Sequence, residues 1–163
     1  MPRILRRPEP DDTILCVELG RDFRDLIELL NRHGVRYLAV GGFAVAVHAR
    51  PRYTKDLDLW VEVSIDNARR IVAALDDFGF ASLGLRAEDF LDPDVVIQLG
   101  YEPNRVDFLT NLTGVEFAEA YPMRVSTRIG NLEVPVIDRA SLIANKRALG
   151  RPHDLEDAKG LEE

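Results

Sequence analysis

The chain has 163 residues, a net charge of −7, 46% hydrophobic residues and a single cysteine, Cys16. That length suits one domain with a real core, and one cysteine rules out an intrachain disulfide and suits a reducing compartment. No apolar run approaches the ~20 residues a membrane span needs, and the acidic balance argues against the broad basic face of an extended nucleic-acid footprint.

Residues 1–12 hold three prolines among mixed charges and read as a loosely held arm, ahead of a single domain over 13–163. Met1 to Pro10 lack the apolar stretch of a secretory signal, so the expected location is the cytoplasm. From Leu19 to His33 the apolar positions Phe23, Leu26, Ile27, Leu29 and Leu30 predict a helix, with Gly34 as its stop. Val35 to Val40 is a β-branched and aromatic run, hence a strand. Gly41-Gly42 breaks it, and Phe43 to His48, apolar all round, predicts a short buried helix. Pro51 enforces a loop over Arg50 to Lys55.

Leu57 to Val63 reads as a second strand. Ser64 is an N-cap for a helix from Ile65 to Phe78, stopped by Gly79. A short helix is expected near Ala87–Leu91. Val95–Leu99 and Arg105–Leu109 read as two strands joined by a turn at Glu102-Pro103-Asn104. A helix is expected over Gly114–Ala120, then a hairpin of Met123–Ile129 with Leu132–Ile137 through Gly130-Asn131. Asp138 or Ser141 caps a helix running to Leu149, Gly150-Arg151-Pro152 interrupts, and a last helix follows from Asp154. Hairpins late in the chain predict a mixed sheet covered by helices.

Chemistry concentrates at Asp56-Leu57-Asp58. Alternate residues of a strand project to one side, so Asp56 and Asp58 sit together while Leu57, Leu59 and Val61 point into the core. Two close carboxylates repel, and one tends to hold a proton unless a cation sits between them. A hard divalent ion takes oxygen ligands and shares them with substrate phosphates. In Arg105-Val106-Asp107-Phe108-Leu109, Val106 and Phe108 face the core, so Asp107 faces outward with Arg105 and Leu109. If that strand lies beside the first, three carboxylates converge, enough to hold two metals for in-line displacement at phosphorus. Alone, an Asp-x-Asp pair on a strand is more often a solvated face or strand edge than a site.

Gly41-Gly42 ends a strand and opens a helix. Such a junction aims free N–H groups and the positive helix end at an anion, and glycine allows close approach. No Gly-Lys-Ser or Gly-Lys-Thr follows, nor a third glycine at dinucleotide spacing. Two basic clusters could serve a small anion: Arg50, Arg52 and Lys55, and Lys146, Arg147 and Arg151. Arg50 and Arg52 either contact phosphate or acceptor or are solvated. Arg151 either binds nucleotide or pairs with Asp154 and Asp157 at helical spacing. His48 reads as a packed histidine and Trp60 as core.

Taken together, Gly41-Gly42-Phe43-Ala44, His48, Arg52-Tyr53-Thr54-Lys55-Asp56-Leu57-Asp58, Val106-Asp107-Phe108 and Lys146 to Asp157 resemble the DNA polymerase β-like nucleotidyltransferase superfamily. Small members related to abortive-infection toxin nucleotidyltransferases are the nearer likeness, with Ala49 standing where glycine is usual. The resemblance implies a minimal nucleotidyltransferase fold, α+β, a mixed β-sheet with helices packed mainly on one face. It implies transfer of a nucleoside monophosphate from a nucleoside triphosphate to an acceptor hydroxyl, with release of pyrophosphate, in a toxin–antitoxin or defence setting. Asp56, Asp58 and Asp107 would be the catalytic, metal-binding residues for two Mg²⁺ or Mn²⁺ ions. Gly41, Gly42, Arg52, Thr54, Lys146 and Arg151 would bind nucleotide. The acceptor would be tRNA, protein or a small molecule, with a homodimer or partner protein completing the site and no membrane involved. A phosphatase of the haloacid-dehalogenase type fits poorly, because polar Arg52 to Lys55 precedes the pair. The rival of another class is a catalytically silent nucleotide- or partner-binding module on the same fold.

Overall fold

A computed structural model describes residues 21–49, 56–100 and 105–163. The expected arm, Arg50, Arg52, Thr54, Lys55 and the Glu102–Asn104 turn lie outside the described residues.

Among the described residues six strands form one mixed sheet. β1 is Tyr37–Val40, β2 Asp56–Val61, β3 Val96–Leu99, β4 Arg105–Leu109, β5 Val125–Ile129 and β6 Leu132–Val136. Their spatial order is β3-β4-β2-β1-β6-β5. β1 runs antiparallel to β2 and parallel to β6, while β2 and β4 are parallel. The two hairpin-like pairs, β3 with β4 and β5 with β6, are antiparallel. The helices are α1 (Arg21–Arg32), α2 (Gly41–His48), α3 (Ile65–Leu75), α4 (Phe117–Ala120), α5 (Arg139–Leu149) and α6 (Pro152–Glu162). The architecture is the α+β mixed sheet with helices against it that the element pattern predicts. Among the described residues no helix is long and apolar enough to cross a membrane.

One sheet face carries Tyr37, Ala39, Leu57, Leu59, Val61, Val106 and Phe108, all buried. The Tyr37 hydroxyl donates to Asn31 Oδ1 of α1, and Phe90 meets Phe108 edge-on with ring centroids 5.9 Å apart. The other face carries Asp56, Asp58 and Trp60 in a row. Trp60 is core, as its position predicts, with Phe117 of α4 edge-on against it at 5.1 Å. Phe117 in turn stacks on Tyr121, whose ring lies beneath the guanidinium groups of Arg36 and Arg124.

Caps explain several boundaries. Ser64 accepts from the Asn67 amide at 3.2 Å and starts α3. Of the two candidate caps for α5, Asp138 is the one used: its carboxylate accepts from the Ser141 amide at 3.1 Å. The helix expected to reach Phe78 regular is α-helical only to Leu75. Asp76–Phe80 forms a wider π-type turn, because Gly79 takes φ +106° and breaks the ladder. α4 is shorter than the Gly114–Ala120 expectation, since Gly114 (φ +82°) bends the chain before it. α6 begins earlier than Asp154, at Pro152, whose fixed φ suits a first helical position.

Candidate functional site

The site lies where β1 ends and β2 and β4 begin. Val40, the last residue of β1, is the register partner of Asp58. On the other side of β2, Asp58 pairs with Asp107 and Asp56 with Arg105. Cross-strand partners point to the same side, so the three carboxylates share one face. The condition set by the sequence, that the Asp107 strand lie beside the Asp56 strand, is met by this parallel pairing.

Asp107 needs one correction. It faces the same side as Asp56 and Asp58, but it does not face outward into solvent: it is 7% exposed. Arg105 lies over it. Arg105 Nε donates to Asp107 Oδ1 at 2.9 Å, and Nη2 donates to Asp107 Oδ2 at 3.2 Å and to Asp56 Oδ2 at 3.1 Å. One guanidinium nitrogen thus touches both carboxylates, which converge on a single cation-sized point.

Asp58 is half-buried beside them. Its carboxyl is pushed up to about 7, first by burial, then by the charges of Asp107 and Asp56, with Arg105 and Lys146 opposing. That is the electrostatic state of a carboxylate cluster short of positive charge, and it is the chemistry by which the donor set fits a hard divalent cation. As they stand, no three carboxylate, histidine or cysteine side chains among the described residues are gathered closely enough to ligate one ion together.

The glycine turn abuts Asp58. Gly41 has φ +64°, and a Cβ there would overlap Asp58 Oδ2. Both the backbone angle and the close approach require glycine. α2 starts at Gly41 itself, two residues before the sequence expectation, and Val40 supplies no side-chain cap. At the far end of α2, His48 Nε2 donates to the Ile137 carbonyl at 2.6 Å. Arg139 donates to the carbonyls of His48 and Leu161, at 2.5 and 2.6 Å. His48 is therefore a packed histidine, as expected, and α2 is tied to the C-terminal helices.

Those helices close the site. A cleft of about 330 Å³ is lined by Gly41, Gly42, Asp58, Lys146, Arg151 and Asp154, with the loop Asn111–Thr113 as its opposite wall. Lys146 is buried on α5, 3.1 Å from Asp157 and 3.5 Å from Asp154 on α6. Arg151 Nε donates to Asp154 Oδ2 at 2.5 Å. Arg151 therefore lines the cleft while pairing with Asp154, whereas Asp157, the other expected partner, faces Lys146. Burial works to raise the Asp154 carboxyl, but the Arg151 hydrogen bond and the charges of Lys146, Arg151 and His153 outweigh it and hold it below the usual range. The loop wall is drawn in by Gly114, where a Cβ would lie 2.6 Å from Ala148 Cβ of α5, and by Asn145, whose Nδ2 donates to the Thr113 carbonyl at 2.9 Å.

The structure thus places Asp56, Asp58 and Asp107 on one sheet face, and joins Gly41, Gly42, Lys146 and Arg151 to Asp58 in one cleft. Arg52 and Thr54 lie outside the described residues. Sequence reasoning passed over Arg105 as a site member, although its place two residues before Asp107 on one strand puts both on one face. Asn111, Thr113 and Asn145 carried no pattern that would single them out. No known protein-family model matches the chain, and no curated protein sequence matches it.

Proposed function

We propose that the chain is a metal-dependent nucleotidyltransferase that moves a nucleoside monophosphate from a nucleoside triphosphate to an acceptor hydroxyl. The observation that carries this reading is the in-register pairing of Asp58 with Asp107 on parallel β2 and β4, with Gly41 against Asp58. Asp58, a glycine turn at a helix start and a buried lysine then border one cleft, with Asp56 and Asp107 on the same sheet face as Asp58.

Asp56, Asp58 and Asp107 would hold Mg²⁺ or Mn²⁺. Bound there, the ions would offset charge on the reacting phosphate and on the departing pyrophosphate. The chain's own groups do the rest. The acceptor oxygen attacks the α-phosphorus, the bond from that phosphorus to the bridging oxygen breaks, and pyrophosphate leaves. Asp107, at the strand register of Asp58, takes the hydroxyl proton. The amides of Gly41 and Gly42 and the Lys146 ammonium face the β- and γ-phosphates and stabilise negative charge there.

The test uses α-³²P-labelled nucleoside triphosphates with Mg²⁺ or Mn²⁺, incubated with tRNA, total RNA, protein or a small-molecule extract. Label should move to one acceptor class, and Asp56→Asn or Asp107→Asn should lower transfer by at least ~10²-fold. A second reading, a nucleotide-binding module without turnover, is favoured by one observation: Arg105 already pairs with both Asp56 and Asp107. Nucleotide binding with no transfer to any acceptor would establish it and overturn the enzyme.

A further inference from the structure

The guanidinium of Arg105 engages three of the four carboxylate oxygens that Asp56 and Asp107 could offer a metal. Both Asp107 oxygens accept from it, at 2.9 and 3.2 Å, and so does Asp56 Oδ2, at 3.1 Å. The contact is a two-pronged one, the geometry in which arginine holds carboxylate best. Its side chain is only a quarter exposed, so solvent screens the pairing weakly. An Mg²⁺ ion binds carboxylate oxygen at about 2.0–2.1 Å. Such an ion within reach of both Asp56 and Asp107 would sit against the guanidinium, two cations in one low-dielectric site. The two would repel there and contend for the same oxygens.

We propose that Arg105 is an internal cation that competes with the divalent metal for Asp56 and Asp107. With Arg105 in place the two strands keep their carboxylates together and partly charge-compensated. Metal binding displaces the guanidinium from both. The inference rests on the metal-dependent reading above, and it adds a gating residue to it: affinity for the ion is set by the cost of breaking the Arg105 contacts. Arg105 acts through Asp56 and Asp107, as a positioning residue, and takes no part in the transfer itself. It also reconciles the two readings of the site, since the arginine-paired cluster is then the resting arrangement of an enzyme rather than evidence of silence.

Calorimetric titration with Mn²⁺ alone, on the chelator-treated full chain, tests this. Arg105→Gln should bind Mn²⁺ about tenfold tighter than wild type, the size expected when charge-assisted hydrogen bonds no longer have to be broken. Asp58→Asn should lose the binding. A residue with a merely structural role would not raise affinity on removal. In wild type, the Arg105 Nε–H signal in a nitrogen-15 NMR spectrum, assigned with Arg105→Lys, should shift as Mg²⁺ saturates the chain. That measurement stands if Arg105→Gln fails to fold. Asp58-dependent Mn²⁺ binding that is unchanged or weaker in Arg105→Gln, or an Nε–H signal indifferent to Mg²⁺, overturns the competition and leaves the metal site standing. No Asp58-dependent binding in wild type or in either Arg105 variant overturns both.

Discussion

At Gly41 the backbone and the chemistry of the site meet. Its φ of +64° lies in the left-handed region, and the space a Cβ would take belongs to Asp58 Oδ2. Gly41→Ala should therefore cost about 2 kcal/mol in a urea titration, from the left-handed backbone and the displaced carboxylate together. A loss of only a few tenths would mean that Asp58 moves aside freely. Asp58 carries a pH signature of its own. Its carboxyl is pushed up to about 7 by burial and by Asp107 and Asp56, against about 4 in an unfolded chain. The folded chain binds that proton more tightly than the unfolded one does. The resulting stability is complete below about pH 4 and is lost as pH rises through about 7. In chelator, thermal melts of wild type should fall relative to Asp58→Asn across that window, because asparagine stays neutral. Parallel curves for the two proteins would contradict the burial of a protonated Asp58.

Among the elements, the α5–α6 pair decides how the cleft is closed. Gly150, left-handed at φ +69°, ends α5, and Pro152 opens α6 in the next turn. The two helices are then joined by charge: Lys146 from α5 faces Asp154 and Asp157 from α6. Asp154 is fully buried and also accepts from Arg151. Asp154→Asn would leave a buried ammonium short of one partner, at about 3 kcal/mol by chemical denaturation. It should also loosen Lys146 in the cleft, so on the proposed reading KM for the triphosphate rises more than kcat falls. On the other side, Asn67 performs a similar joining role for α3. It accepts from the Arg36 amide at 2.7 Å and donates to the Arg36 and Glu62 carbonyls at 3.0 and 2.9 Å. That fastens α3 to the entry of β1 and the exit of β2.

Across the whole molecule, the register of β2 against β4 governs the site. A slip of one residue would pair Asp58 with Phe108 or Val106 and send Asp107 to the opposite face, among Leu57, Leu59 and Phe90. The apolar residues that alternate with the carboxylates make such a slip expensive, so the core fixes the position of the charges. β1, β2 and β4 are each paired on both sides, whereas β3 and β5 are the sheet edges. Hydrogen exchange should follow that order, with amides of β1 and β2 protected up to global unfolding and those of β5 exchanging through local opening. Equal protection across the sheet would argue against this strand order.

Period and punctuation in the sequence were enough for most elements. Alternation located Asp56, Asp58 and Asp107 on strands, Ser64 and Gly34 marked helix ends, and Gly130-Asn131 marked the β5–β6 hairpin. These signals are local, so one strand or helix contains them in full. The same locality explains the misses. The exposure of Asp107 could not be read from its own strand, because the Arg105 guanidinium bonded to it is also held by Asp56 on the neighbouring strand. Lys146 is buried because α6 folds back and supplies Asp154 and Asp157. Alternation determined which residues share a face; only the tertiary structure decided which faces meet. Parallel β2 and β4 are not adjacent in the chain, and their pairing depends on burying apolar side chains from several elements at once.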